Sequence, residues 1–179
     1  MARFAALAAL AILLGACATP SPRLPPEPFA ALPPHTYGGS VSAEQRLTLS
    51  RNGASTTLQC FVDIAPERIQ LVGAGALGQR VLSLTWDGDG LRTEGDARAS
   101  EQALRDLQLV TWPLAALQRA AAGTTWRIEE LRPGIRQVWR GDAAYAEIHY
   151  ASDSPWSGRS WLANLEYRYT LDIESRLSR

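Results

Sequence analysis

Few side chains in this sequence are of the types that carry out nucleophilic, acid–base or metal chemistry. It holds two cysteines and two histidines, and every basic residue is an arginine. The absence of lysine excludes Schiff-base chemistry and a phosphate-binding Walker lysine. His149 is the only histidine outside a proline-rich stretch, so a histidine triad or a histidine metal cluster is not available. We therefore expect no enzyme activity, no metal and no cofactor.

Cys17 is the one cysteine whose position suggests a chemical role. It ends the four residues 14–17 (LGAC), which follow an apolar run over residues 4–14 and a positive charge at Arg3. This layout is typical of an N-terminal export signal. As a helix the apolar run would cover roughly half of the ~30 Å hydrocarbon thickness, so it is too short to span a membrane.

The motif around Cys17 resembles the signal of bacterial lipoproteins, in which the cysteine sulfur receives a diacylglyceryl group and the preceding peptide is removed. The resemblance implies that residues 1–16 are a signal peptide and that acylated Cys17 anchors the chain in membrane lipid. Ala18 follows the cysteine, and lipoproteins without an acidic residue there resemble those sent to the outer membrane. The alternative is an ordinary secretory signal with an incidental cysteine.

Residues 17–38 are predicted to form the lipidated N-terminus and a stalk. Prolines cluster between residues 19 and 37, which prevents regular helix or central strand and favours extended polyproline geometry. At ~3.1 Å per residue, such a stalk would hold a domain on the order of 50 Å from the membrane. His35 is expected to be a solvated stalk residue, and the folded domain is predicted to span residues 39–179.

Charge and cysteine content narrow the classes of partner. The formal net charge is zero, so the sequence lacks the basic surplus of a nucleic-acid-binding protein, and we exclude nucleic acid as a partner. If Cys17 is lipidated, Cys60 has no partner for a disulfide within the chain. Cys60 lies in an alternating apolar pattern, which predicts a buried structural thiol.

Alternation of apolar and polar residues predicts β-strands along most of the domain. Asn52-Gly53 predicts a tight hairpin turn between the first two strands. Residues 161–173 alternate for too long to be one strand, so we expect a hairpin that turns around residues 164–166. The other predicted strands cover residues 47–50, 58–64, 69–72, 81–86, 91–94, 126–130, 135–140 and 144–150.

Two short helices interrupt the strands near the middle of the chain. Apolar residues at helical spacing predict a helix over residues 100–107, capped by Ser100, and a second that begins with Pro113 and stops at Gly123. The sequence therefore predicts a mainly β (α+β) fold, an antiparallel sheet of roughly nine to eleven strands with two inserted helices.

Two motifs suggest ligand binding but lack the context that they need. Residues 73–78 (GAGALG) match the dinucleotide fingerprint G-x-G-x-x-G, yet a strand-like run follows them where the motif requires a helix N-terminus. Asp87 and Asp89 resemble the start of a calcium loop, but the third acidic position and the closing glutamate are missing. We interpret both stretches as turns.

The order of motifs in the domain resembles a known family. Residues 68–86 (RIQLVGAGALGQRVLSLTW), the turn at residues 87–88, residues 112–117 (WPLAAL) and residues 161–173 look like a family of uncharacterised outer-membrane lipoproteins. That family is itself similar to LolB, the outer-membrane receptor of lipoprotein sorting, and to its periplasmic partner LolA.

The resemblance implies a strongly curved, incompletely closed antiparallel barrel, with the two helices as a lid over a cavity that takes acyl chains. In LolB, a loop with a Leu-Gly pair projects an apolar side chain toward the membrane, and Leu77 stands at the matching place. Ala76 replaces the usual proline, and the stalk replaces the expected N-terminal helix. The candidates for the cavity and lid are Leu71, Leu82, Leu84, Trp86, Trp112, Leu114, Leu117, Trp126, Ile128 and Trp139.

These observations predict an outer-membrane-anchored lipoprotein whose domain faces the periplasm. It would bind the acyl chain of a lipid or lipoprotein and assist its transfer to, or insertion in, the outer membrane, with a LolA-like carrier as a further partner. Burial of an acyl chain at ~0.8 kcal/mol per methylene supplies the driving force without a nucleotide. The alternative is an assembly or interaction lipoprotein whose interior is filled by its own side chains and whose surface binds a protein.

Overall fold

The structure, a computed structural model, describes residues 28–178. They form a ten-stranded antiparallel sheet in the order β5-β4-β3-β2-β1-β10-β9-β8-β7-β6. The strands are β1 (Val41–Arg51), β2 (Ala54–Ala65), β3 (Arg68–Ala74), β4 (Arg80–Asp87), β5 (Gly90–Glu94), β6 (Trp126–Arg132), β7 (Ile135–Arg140), β8 (Ala143–Tyr150), β9 (Gly158–Asn164) and β10 (Tyr169–Leu177).

The sheet does not close into a full barrel, because its edge strands β5 and β6 do not pair with each other. Two helices, α1 (Ala97–Thr111) and α2 (Leu114–Ala121), connect these edges along the chain. Helix α1 packs on β4 and β5, and α2 packs on β6. The helices therefore occupy the gap, which confirms the predicted incompletely closed antiparallel barrel with two mid-chain helices.

The pairing of strands defines two ends of the sheet. The first, here called the tip end, carries the β1–β2 turn, the β3–β4 loop at residues 75–79 and the β9–β10 turn at residues 165–168. The opposite, base end carries the β2–β3 and β4–β5 turns and the loop at residues 151–157. Asn52 and Gly53 both have positive φ, 51° and 78°, as a two-residue hairpin turn requires, so the predicted hairpin is confirmed.

Helix α1 is longer than the sequence predicted, and Ser100 is not its cap. The Asp96 side chain accepts hydrogen bonds from the backbone amides of Arg98 and Ala99 and caps the helix. Ser100 is buried inside the first turn and donates to the Asp96 carbonyl at 2.9 Å. At the other end, Arg136 donates to the Leu109 carbonyl at 2.5 Å, which satisfies a backbone group that the helix leaves free.

The inner face of the sheet and the helices enclose one hydrophobic core. On β2, Cys60, Val62 and Ile64 are buried, whereas Phe61 on the outer face is 43% exposed. Cys60 is a free thiol, and burial raises its pKa to about 12. The prediction of a buried structural thiol is therefore confirmed. Because every described element contributes to this core, residues 28–178 share one hydrophobic core.

The C-terminal part of the predicted stalk belongs to this core. Phe29 and Leu32 are 3% and 4% exposed, and Pro34–Tyr37 form a short 3-10 helix. Residues 29–37, here called the strap, thus pack on the domain and do not extend from it as a free stalk. His35 is exposed as expected. The predicted signal peptide, Cys17 and the rest of the predicted stalk lie outside the described residues.

Within residues 28–178, no helix combines the length and the apolar character needed to cross a membrane. The same residues contain no group of three or more histidine, cysteine or acidic side chains that could hold a metal ion.

Candidate functional site at the tip end

The strap is fixed to the domain mainly through its backbone. Gln108, buried on α1, accepts a hydrogen bond from the Leu32 amide and donates one to the Leu32 carbonyl, both at 2.8 Å. The same carbonyl accepts a bond from the indole nitrogen of Trp86 on β4, also at 2.8 Å. Arg105 on α1 donates to the Phe29 carbonyl at 3.1 Å. These bonds hold the strap between α1 and β4.

Aromatic contacts fix the two ends of the strap at opposite ends of the sheet. The ring of Phe29 packs edge-on against Trp126, the first residue of β6, with centroids 5.5 Å apart. Tyr37 packs on Trp112 at 5.1 Å and accepts a hydrogen bond from Trp156 at 2.9 Å, both at the base end. The strap therefore runs from the tip end to the base end along the opening that the sheet leaves.

The candidates for the cavity and lid fall into three groups, which differ in burial and in the face of the sheet that they occupy. Leu82, Trp86 and Leu114 are partly buried and pack against the core. Trp139 is half-buried opposite Arg127, whose guanidinium lies 5.0 Å from its ring, so it does not line the interior. The candidates that are fully packed inside the core are Leu71, Leu84, Trp112, Leu117, Trp126 and Ile128.

The burial of Leu117 and Trp112 indicates that side chains of the protein itself fill part of the interior. Both are 0% exposed, so α2 does face the interior, but it meets other side chains there. With the strap packed alongside, the base half of the interior is filled by the protein's own residues.

The tip half of the inner face is covered less completely. Alternation places five leucines on this face, across β4, β2, β1 and β10. Leu49 is 38% exposed and the other four are partly buried. This set, here called the leucine strip, comprises Leu47, Leu49, Leu58, Leu82 and Leu171. It is an apolar surface on which Leu49 is open to solvent and the other four leucines are only partly buried.

Leu77 lies at the same end, in the loop between β3 and β4. Its side chain is 91% exposed, although the loop around it is tightly bonded. Gly78, at φ 76°, donates to the Gly75 carbonyl at 2.9 Å, and the Leu77 amide donates to the side chain of Gln79 at 3.1 Å. A side chain at position 75 would collide with Gln79. The loop thus presents a large apolar residue to solvent from an ordered backbone.

The exposed apolar residues of the described chain concentrate at this end. Those at the tip end are Leu49, Leu77, Val81, Leu165 and Tyr167, each at least 38% exposed. A cluster of exposed apolar side chains on one end of a soluble domain is typical of a surface that meets a membrane or another protein.

A buried polar network joins α1 to the inner face of the sheet at the tip end of β10. Tyr169 on β10 donates to the carboxylate of Asp106, and Gln102 donates to the same carboxylate at 2.8 Å. Gln102 also lies 3.0 Å from the Tyr169 hydroxyl, and Arg105 donates to Gln102 at 2.7 Å. The network therefore connects the first half of α1 to the strand at the centre of the sheet.

Burial is the main influence on the charge state of this network. It raises the pKa of Asp106 to about 6, against the opposing effect of the hydrogen bonds from Tyr169 and Gln102 and of the Arg105 charge. Burial also raises the pKa of Tyr169, as does the adjacent carboxylate. The hydrogen bonds of the network hold α1 against the sheet.

Most of the domain matches a known family. A family model described as "Protein of unknown function (DUF3261)" matches residues 42–176, which include every strand of the sheet and both helices. The chain belongs to the DUF3261 family. The match starts after the strap, so the strap lies outside the part of the chain that defines the family.

Comparison with solved structures gives a match of low identity and low TM-score. The crystal structure of a DUF1329 family protein from Desulfovibrio piger ATCC 29098, at 1.75 Å resolution, is 10% identical, with a TM-score of 0.36. The alignment covers 81% of this chain and 89% of the other. A search of curated proteins found no match.

Proposed function

We propose that this protein is a lipid-anchored, non-enzymatic carrier or receptor that holds an acyl chain against the leucine strip and works with its tip end at the outer membrane. The observation that carries the proposal is the placement of exposed Leu77 at the same end as the partly exposed leucine strip. Leu82, the first inner-face residue of β4 after that loop, belongs to the strip and links the two features.

An acyl chain suits this surface because the surface is apolar, elongated and open to solvent. The leucine strip crosses five neighbouring strands, β4 to β10 in the order of the sheet. Covering apolar surface is favourable at roughly 25 cal/mol per Å², and a chain of methylenes gains ~0.8 kcal/mol for each one buried. Transfer between two such sites requires a difference in affinity and no chemical step.

The course of the strap supports an anchor at the same end. Phe29, next to the first described residue, lies at the tip end beside Trp126, so the described chain begins at that end. The segment between Cys17 and Phe29 can reach at most on the order of 40 Å. A lipid on Cys17 and the side chain of Leu77 can therefore meet one membrane surface without any rearrangement of the domain.

Binding of a fluorescent fatty acid to the chain produced from residue 18 onward tests the proposal. Leu49→Asn removes an inner-face contact, and Phe61→Asn removes an outer-face residue of similar exposure, 43% against 38%. We expect Leu49→Asn to weaken binding about tenfold, which is the effect of losing one leucine contact, and Phe61→Asn to leave it unchanged. Equal effects of the two substitutions, or no binding by the wild type, would contradict the proposal.

One observation favours a second candidate function. Because Trp112, Leu117 and Gln108 are 0% exposed and the strap fills the opening, the domain can be an interaction lipoprotein with a filled core, whose tip end binds a protein. In that case the wild type would bind no fatty acid, even after the strap is loosened by Gln108→Ala. A partner recovered by cross-linking through the tip end would then identify the interaction.

A further inference from the structure

A crevice of about 330 Å³ lies at the tip end, between the β1–β2 turn and the β9–β10 turn. The two turns are neighbours because Ser50 on β1 pairs with Thr170 on β10. The crevice is lined by Ser50, Arg51, Asn52, Gly53, Ala163, Asn164, Leu165, Arg168, Tyr169 and Thr170. None of these residues is acidic, and the set includes two arginines.

The two arginines differ from most arginines of the sheet. Arg51 and Arg168 are exposed, and neither has an acidic or hydrogen-bonding side-chain partner within residues 28–178. By contrast, Arg46 pairs with Glu174 at 2.6 Å, and Arg140 next to the same turn pairs with Glu166 at 2.5 Å. The formal net charge of the whole chain is zero, so the positive potential at this crevice is local.

The crevice also offers polar groups and an apolar border. The side chains of Asn52 and Thr170 have no hydrogen-bond partner among the described residues. On the β9–β10 turn, Leu165 is 47% exposed and Tyr167 is 43% exposed. Arginine beside tyrosine and leucine is the combination found where a protein surface meets the polar layer of a membrane, since the charged groups contact phosphates and the apolar groups enter the layer below.

We propose that Arg51 and Arg168 bind the phosphate of an anionic phospholipid headgroup and so dock the tip end on a membrane. The inference rests on the proposed function in one respect, that the tip end faces the membrane. It adds a site and a lipid class, because Leu77 alone would not distinguish an anionic from a zwitterionic surface. The crevice holds the headgroup while Leu77, Leu165 and Tyr167 contact the acyl layer around it.

Vesicle binding by the chain produced from residue 18 onward tests this site. An arginine near an anionic surface contributes ~1 kcal/mol, which is about fivefold in affinity, so two contribute roughly thirtyfold. We expect Arg51→Gln/Arg168→Gln to lose roughly thirtyfold in affinity for vesicles that contain phosphatidylglycerol. Affinity for pure phosphatidylcholine vesicles is expected to be low and nearly unchanged.

The matched control is Arg46→Gln/Arg176→Gln, which removes the same charge from arginines that are ion-paired with Glu174 and Glu44 in β10 and β1. Exposed pairs of this kind contribute little to stability, so the control should fold and should bind within about twofold of the wild type. Equal losses in the two double variants would show a net-charge effect and overturn the site. Equal binding of the wild type to both kinds of vesicle would overturn the lipid class.

Fatty-acid binding without vesicles separates this inference from the proposed function. Arg51→Gln/Arg168→Gln is expected to bind fatty acid like the wild type, because neither arginine belongs to the leucine strip. If vesicle binding does not depend on the two arginines while fatty-acid binding depends on Leu49, the headgroup site is wrong and the carrier stands. If fatty acid is not bound but vesicle binding still depends on the arginines, the carrier is wrong and the headgroup site stands.

Discussion

Gln108 and Leu32 form a reciprocal pair of hydrogen bonds, in which the glutamine side chain both accepts from and donates to the leucine backbone at 2.8 Å. Gln108 is 0% exposed and Leu32 is 4% exposed. The pair therefore binds the strap to α1 through backbone atoms, in the way that a neighbouring strand would. A substitution of Gln108 can therefore loosen the strap without changing any residue of the strap.

Gln108→Ala should release the strap. It leaves the buried Leu32 amide without a partner, while the Leu32 carbonyl keeps its bond from Trp86. An unsatisfied buried donor costs about 1–3 kcal/mol, and we expect a loss of that size in the free energy of unfolding. The Leu32 amide should also exchange its hydrogen faster. Denaturant titration and hydrogen exchange measure the two effects.

Gln45→Ala is the matched control for Gln108→Ala. Gln45 is also a buried glutamine, 3% exposed, and its side chain donates to Ser175 on β10 at 3.0 Å and not to the strap. It should lower stability without changing exchange at Leu32. If the Leu32 amide stays equally protected in both variants, Gln108 does not hold the strap.

Most of the sheet could be predicted from local sequence because its causes are local. Asn52-Gly53 determines a hairpin turn through its two positive φ angles, and alternation over residues 58–64 sets which side of β2 is buried. The turn predicted around residues 164–166 lies at residues 165–168. Such features follow from the local sequence and do not depend on contacts with residues that are distant in the chain. Across that turn the buried face changes from even positions such as Leu162 on β9 to odd positions such as Ile173 on β10, so Trp161 lies on the outer face, which the continuous alternation did not predict.

The strap and the buried network depend on contacts that are distant in sequence. The proline content of residues 19–37 correctly excludes helix and central strand, but it does not show that Phe29 and Leu32 have partners on α1 and β6. Asp96 was overlooked as a cap because Ser100 is also a good capping residue. Asp106 faces inward on α1, where apolar periodicity gives no signal for a buried carboxylate.

Asp106 should make stability depend on pH. Its pKa is raised by burial to about 6, from an ordinary value of 3.8. The folded state therefore holds this proton more tightly than the unfolded state does, and the resulting stability is present below about pH 4 and lost as the pH rises through about 6. The difference corresponds to roughly 3 kcal/mol.

Asp106→Asn removes this titration and isolates its contribution. The free energy of unfolding of the wild type, relative to the variant, should fall by roughly 3 kcal/mol between pH 4 and about pH 7. Asp153→Asn, at an exposed position, serves as the control for the loss of one carboxylate. A constant difference between wild type and Asp106→Asn across this range would show that Asp106 titrates normally.

Cys60 should be unreactive in the folded protein. Its thiol is 4% exposed and its pKa is raised to about 12 by burial, so almost no thiolate forms near pH 8. In the chain produced from residue 18 onward Cys60 is the only cysteine, and iodoacetamide labelling followed by mass spectrometry reports on it alone. We expect labelling only after denaturant is added. Rapid labelling of the native protein would mean that the inner face opens at β2.

Cys17 should carry the lipid anchor. Only a thiol can accept the diacylglyceryl group, so Cys17→Ser should remove lipidation while leaving the folded domain unchanged. Labelling with a palmitate analogue in Gram-negative cells, followed by fractionation, measures both the lipid and its location. Label on the serine variant would contradict lipidation at Cys17, and wild-type protein in the inner-membrane fraction would contradict the outer-membrane assignment.

Leu77→Glu tests the membrane-facing role of the β3–β4 loop. Because Leu77 is 91% exposed, the substitution should change the free energy of unfolding by no more than about 0.5 kcal/mol. Entry of one leucine into an apolar layer contributes about 1.5–3 kcal/mol, which corresponds to roughly ten- to a hundredfold in vesicle affinity, and a carboxylate resists that entry. Leu131→Glu is the control, since Leu131 is 57% exposed but lies near the base end of β6. Cosedimentation with vesicles should therefore fall for Leu77→Glu and stay unchanged for Leu131→Glu, whereas equal binding by the two variants would place the membrane contact elsewhere on the domain.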